Sequence, residues 1–78
     1  MSTKLPIVKV KILENLLFFL GFEKKRQKGS HVFYRHIDGR YTTLPHHGNQ
    51  VIGRSLIRQI LREIEVLPEK YIELLKEI

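Results

Sequence analysis

Two tight-turn signals, Gly29-Ser30 and Asp38-Gly39, stand so close together that the residues between them have room for one short strand and nothing larger. Asp-Gly is a strong hairpin signal, because a type I′ turn needs positive φ at both central positions. The stretches beside the turns, His31-Val32-Phe33-Tyr34-Arg35 and Tyr41-Thr42-Thr43-Leu44, are rich in aromatic and β-branched residues, which suit a pleated surface. A three-stranded antiparallel meander is therefore expected over residues 22–28, 31–37 and 40–44. Its last strand should stop at Pro45, which has no N–H to give a ladder.

Helical patterns flank this meander. Leu13, Leu16, Leu17 and Leu20 recur at i, i+3, i+4 and i+7 from about Val10 onward, and Gly21 follows as a residue able to adopt the left-handed conformation past a helix end. Phe18 and Phe19 widen the stripe. An enlarged core is expected from them, a half-exposed partner-facing phenylalanine being the alternative. Leu5-Pro6-Ile7-Val8 reads only as an extended lead-in. After Gly53, the residues Leu56, Ile57, Ile60, Leu61 and Ile64 form a second stripe, with Ser55 as its expected cap. Arg54, Arg58 and Arg62 run along one side of it, as an ordinary wet face or as a contact for phosphate. Pro68 and Glu69 suit the first turn of a third helix, whose apolar side would be Tyr71, Ile72, Leu75 and Ile78 beside an acidic row of Glu65, Glu69, Glu73 and Glu77.

Seventy-eight residues make a single domain, 1–78, close to the size at which one hydrophobic core is only just sufficient. No cysteine is present, so neither disulfides nor thiolate metal ligation can brace it, and a reducing cytosol is compatible. The net charge of +6 is concentrated in residues 22–54, where seven basic side chains face two acidic ones. A local field of that kind attracts polyanions, most simply nucleic acid. No apolar run approaches the ~20 residues of a membrane span and the N-terminal residues read as no targeting signal, so a soluble, cytoplasmic protein without membrane contact is expected.

Strand alternation sorts the central stretch into two faces. His31, Phe33 and Arg35 share one, and Ser30, Val32, Tyr34 and His36 the other. An imidazole exchanges protons near neutral pH and a guanidinium holds phosphate by paired hydrogen bonds. The face is thus either chemically active or simply the wet side of a hairpin, and these residues alone do not choose. His46-His47 invites a metal, yet no cysteine exists and no carboxylate lies between Asp38 and Glu63, so no metal site is expected.

The order helix, meander, helix resembles the double-stranded-RNA-binding-domain arrangement, an α+β fold with both helices on one face of the sheet and here a short C-terminal helix added. Five segments sharpen the likeness: Leu20-Gly21-Phe22-Glu23; Arg26-Gln27-Lys28-Gly29-Ser30-His31; Arg35-His36 with Asp38-Gly39-Arg40; Thr43-Leu44-Pro45 with His47-Gly48-Asn49; and Leu56-Ile57-Arg58-Gln59-Ile60-Leu61. In this order and spacing they resemble the HicA toxin family, over nearly the whole chain. Ile37 stands where a proline is common and His46 where an aliphatic residue is common.

The resemblance implies a ribosome-independent mRNA interferase of a type II toxin-antitoxin pair, neutralised by a HicB-type antitoxin that covers the active site. It implies that the histidine after Gly-Ser, His31, is catalytic. On that footing Lys24, Arg26, Lys28 and Arg35 are candidates to hold RNA phosphate, with Lys28 and Arg35 nearest in sequence. Gly29 would let the backbone approach closely, Ser30 would orient the histidine or the phosphate, and His47 is a second candidate imidazole. No cofactor, metal or small-molecule ligand is called for. A non-catalytic RNA-binding module with the same basic meander is the alternative, and a protein-interaction domain using Phe18 and Phe19 is another.

Overall fold

The computed structural model describes residues 4–78. Helix α1 (Val10–Phe19) is followed by strands β2 (Glu23–Lys28), β3 (His31–Arg35) and β4 (Tyr41–Pro45), then by helices α2 (Arg54–Glu63) and α3 (Pro68–Glu77). Strand β3 is central in the antiparallel order β2-β3-β4. This is the expected α+β, double-stranded-RNA-binding-domain-like architecture. Two further strands, β1 (Val8–Lys9) and β5 (Val51–Ile52), pair with each other on either side of the main sheet in sequence. No helix among the described residues is long and apolar enough to cross a membrane.

The faces of β3 separate as alternation requires. Val32 and Tyr34 are buried beneath the helices with Thr42 and Leu44 of β4, whereas His31 and Arg35 are exposed on the open side. Leu13, Leu16, Leu17, Ile57, Ile60, Leu61 and Ile64 supply the helical half of the core. Tyr71 and Leu74 bring α3 onto it. Leu74 was not among the apolar positions expected for α3; Ile72 and Leu75 are only partly buried and Ile78 is exposed. The N-terminal stretch is more than a lead-in. Leu5 is fully buried, its carbonyl accepts from Arg54 Nε at 2.8 Å, and the Pro6 carbonyl accepts from the Tyr71 hydroxyl at 2.7 Å. Burial pushes the Tyr71 hydroxyl up to about 12, so it stays a donor throughout the physiological range.

Both long helices that precede a turn end in the same backbone motif. After α1 the Phe22 N–H reaches the Leu17 carbonyl at 2.9 Å and the Gly21 N–H reaches Phe18 at 3.0 Å. After α2, Val66 reaches Leu61 and Glu65 reaches Arg62 in the same way. The residue past each cap is left-handed, Gly21 at φ 97° and Glu65 at φ 58°, as this arrangement demands. Gly21 has a second constraint, since a Cβ there would lie 3.2 Å from His36 Nε2.

Four expectations are corrected. Phe18 and Phe19 do not enlarge the core; both are exposed, at 45% and 55%, with the Phe18 ring 6.0 Å from that of Tyr34. Ser55 is not the cap of α2, because Gly53 takes the extended N-cap position and no side chain among the described residues caps the helix. Pro45 does not end β4 from outside but is its last residue, opposite His31, where its missing N–H costs nothing at an edge. The Asp38-Gly39 turn is not type I′: Gly39 has φ 102°, but Asp38 is not among the residues with positive φ. Instead the Gly39 N–H bonds to the His36 carbonyl at 2.9 Å and the His36 N–H to the Arg40 carbonyl at 2.8 Å, a three-residue loop with glycine at its left-handed end. By contrast Gly29, at φ 59°, opens a two-residue turn before the Lys28–His31 pair.

Asp38 and Arg40 fasten this loop to the rest of the fold. Asp38 accepts from the Arg40 N–H at 3.0 Å and from Arg40 Nε at 2.8 Å. The same guanidinium donates to the Ile64 carbonyl at the end of α2 and lies 5.1 Å over the Phe22 ring. A cation there meets the negative end of the helix and an unsatisfied carbonyl together. Arg40→Ala is expected to lower stability by about 1–3 kcal/mol, the usual range for losing hydrogen bonds from a charged donor. Denaturant unfolding would measure it, and an unchanged midpoint would refute this role.

Acid should weaken the fold in a definite window. Burial raises the Glu14 carboxyl, but the Tyr34 hydroxyl at 2.6 Å, with Lys24 and Lys11 each at 3.5 Å, outweighs it and leaves the net shift downward. Asp38 is lowered by the Arg40 N–H, then by the Arg40 side chain and His36. Carboxyls depressed in the folded state contribute stability above their unfolded value near ~4 and lose it as pH falls through the folded one. The melting temperature is therefore expected to fall below about pH 4, and less steeply in Glu14→Gln. Parallel curves for the parent and that variant would contradict the assignment.

Candidate active site on the open sheet face

Strand β2 is exposed along its whole length, Glu23-Lys24-Lys25-Arg26-Gln27-Lys28. Its register against β3 decides which charges meet His31. Lys28 lies opposite His31, Gln27 opposite Val32, Arg26 opposite Phe33, Lys24 opposite Tyr34 and Glu23 opposite Arg35, with Lys25 extra. That extra residue is a β-bulge, and it breaks the alternation. Directly opposed residues share a face, so Lys28 and Arg26 join His31, Phe33 and Arg35 on the open side. Lys24 goes to the helix side, where its ammonium lies 3.5 Å from Glu14.

Distances along the sheet follow from strand geometry. Opposed side chains have Cβ atoms ~5 Å apart and diagonal neighbours ~7–8 Å apart. Lys28 is thus the cation nearest His31, with Arg26 next. Arg35 is four residues further along β3, about 13 Å away. The Arg26 guanidinium also lies 5.0 Å from the Phe33 ring centroid.

His31 is exposed, and among the described residues no side-chain hydrogen bond or ion pair engages its imidazole. It lines a groove of about 390 Å³ with Phe33, Thr43 and Pro45 from the sheet and Leu56, Gln59 and Glu63 from α2. The Thr42 hydroxyl donates to Glu63 Oε1 at 2.7 Å and Gln59 Nε2 donates to Oε2 at 3.4 Å. A carboxylate thus stands in the same groove as the histidine. Sequence reasoning missed this wall, because nothing in the spacing of α2 says that its polar side overhangs the edge of β4.

The remaining candidates are placed around this centre. Gly29 and Ser30 form the exposed turn before His31, and the Ser30 carbonyl accepts from the His46 N–H at 2.8 Å. His47 is exposed in the following loop, its ring 5.3 Å from that of His46. Among the described residues no three His, Asp or Glu side chains gather closely enough to hold a metal ion. His36 lies apart from all of these. Its Nε2 is 3.2 Å from the Leu20 carbonyl, its Nδ1 is 3.1 Å from both the amide and the carboxylate of Asp38, and its ring packs edge-on to Phe22. One nitrogen holds the turn and the other reaches the end of α1.

The fold is a small α+β domain whose open sheet face carries an exposed histidine beside Lys28 and Arg26. The family described as HicA toxin of bacterial toxin-antitoxin matches residues 10–66, more than half of the chain. The chain belongs to this family and is the toxin of a toxin-antitoxin system, whose partner is an antitoxin. Every candidate residue named above falls inside the matched segment, while α3 lies beyond it. A search of curated proteins returned no match.

Proposed function

We propose that this toxin is an mRNA interferase, an endoribonuclease that uses His31 for general acid-base catalysis and is held inactive by a HicB-type antitoxin seated on the same open face. The observation that carries the reading is the exposed, unengaged imidazole of His31 directly opposite Lys28, with Arg26 diagonal to it on the same face. The whole of residues 1–78 acts as one domain in it, and its place of work is the cytoplasm, where mRNA is.

RNA brings its own nucleophile. His31 takes the proton of a 2′-hydroxyl, the 2′-oxygen attacks phosphorus, and the bond from phosphorus to the 5′-oxygen breaks. The departing oxygen receives a proton, from His31 in its protonated form or from a second acid. One fragment ends in a 2′,3′-cyclic phosphate and the other begins with a 5′-hydroxyl. Lys28 and Arg26 stabilise the charge that builds on the non-bridging oxygens, where fixed cations act most strongly. Arg35 holds a more distant phosphate. Gly29 lets the backbone come close, Ser30 orients the phosphate, and His47 is the second imidazole within the neighbouring loop. Lys24, turned to the helix side, pairs with Glu14 at 3.5 Å and stands further from the cleaved phosphate. DNA lacks the 2′-hydroxyl, so it is spared.

The test uses purified toxin, a long single-stranded RNA, the matching DNA and excess EDTA, with fragment ends analysed chemically. Cyclic-phosphate ends on RNA, intact DNA, and inhibition by the cognate antitoxin are expected. Fragments ending in a 3′-hydroxyl would reject the internal nucleophile. Intact RNA that is nonetheless bound would make the domain a binding module.

A further inference from the structure

We propose that the open face also carries a stacking subsite for an unpaired RNA base, formed by Tyr41 with Phe33 and flanked by Arg26 and Arg35. The inference rests on the RNA substrate proposed above and extends it to single-stranded RNA. Tyr41 is 66% exposed, opposite Arg35 on the open face of the sheet, where it contributes nothing to the core. Phe33 is partly exposed two residues from His31, with the Arg26 guanidinium over its ring. A second hollow of about 360 Å³ lies among Lys25, Arg26, Phe33, Arg35 and Tyr41.

The chemistry of this hollow selects its occupant. Aromatic faces interleaved with three cations, Lys25, Arg26 and Arg35, match a strand that alternates π-systems with phosphates. Both hollows share Phe33, so a chain passing His31 continues onto Tyr41 without leaving the sheet. Same-face residues lie ~6.6 Å apart along a strand, which sets the base one or two nucleotides from the cleaved phosphate. Only a splayed base can reach an aromatic side chain, because the faces of a paired base are covered by its neighbours in the helix. The subsite therefore favours unpaired RNA, and it tolerates any base because every base has a π-face.

The chain contains no tryptophan, so Tyr41→Trp introduces a single indole at the subsite. In a His31→Ala background, which keeps the RNA whole, a ten-nucleotide unstructured RNA is expected to quench its emission. Tyr41→Ala is expected to weaken binding about 5- to 100-fold, the usual effect of removing one base-stacking aromatic, with the salt dependence unchanged. Tyr41→Phe should bind as the parent does. One abasic position in the RNA should reproduce the loss with Tyr41 present and add nothing in Tyr41→Ala. Unchanged emission or unchanged affinity while the parent binds and cleaves RNA overturns the subsite and leaves the nuclease standing. Loss of antitoxin affinity in Tyr41→Ala with RNA affinity intact assigns the surface to the antitoxin instead. Failure of the parent to bind RNA at all rejects both readings.

Discussion

Replacing His31 by alanine is expected to reduce RNA cleavage by about 10²–10⁴, the usual contribution of a positioned acid-base group, while affinity for the same RNA changes little. The separation of the two effects follows from where the charges lie. In the proposed reading phosphate contacts dominate affinity and belong to Lys28, Arg26 and Arg35, none of which depends on His31 for its position. His31 itself is exposed and makes no side-chain hydrogen bond among the described residues, so its loss should not move the melting temperature. Lys28→Ala should behave differently, lowering affinity and flattening its salt dependence, because each phosphate contact releases counterions. Single-turnover cleavage, RNA titrations at several salt concentrations and a thermal melt distinguish these outcomes. A His31→Ala protein that still cleaves at the parental rate would remove this residue from the chemistry.

The histidine's surroundings were legible in part. Period-two alternation correctly put His31, Phe33 and Arg35 on one side of β3 and Val32 and Tyr34 on the other, since only the second set is apolar enough to sit under helices. On β2 the same rule would misplace Lys24. Lys24, Arg26 and Lys28 alternate in sequence, and a regular strand would present all three together. The extra residue at Lys25 diverts Lys24 to Glu14, and in an exposed run of charged and polar side chains no hydrophobic marker betrays a bulge. Glu63 was hidden for another reason. Its role as a wall beside His31 comes from the position of α2 against the edge of β4, a tertiary relation with no local signature. The β1–β5 pair was equally silent, because two-residue strands carry too little pattern to read.

Tyr34 tests how far one strand can keep its chemistry and its stability on separate sides. Its ring is 2% exposed on the inner face of β3, and its hydroxyl donates to Glu14 at 2.6 Å. Burial, and then the Glu14 carboxylate, push that hydroxyl well above the ordinary tyrosine range, so it remains a donor at neutral pH. Tyr34→Ala should cost about 3–5 kcal/mol for the ring alone. A chain of 78 residues has roughly 4–12 kcal/mol in total, so this variant should lose a large part of its stability and melt well below the parent. Tyr34→Phe removes only the donor and should cost about 1–3 kcal/mol. Below its melting point it should cleave RNA at the parental rate, since His31, Phe33 and Arg35 face the other way. Antitoxin present at a thousand times its dissociation constant adds about 4 kcal/mol to the folded state, which should largely restore Tyr34→Ala in the complex. Melting curves of both variants, with and without antitoxin, supply the comparison. A Tyr34→Phe protein that melts normally yet cannot cleave would mean that the inner face of β3 takes part in the reaction.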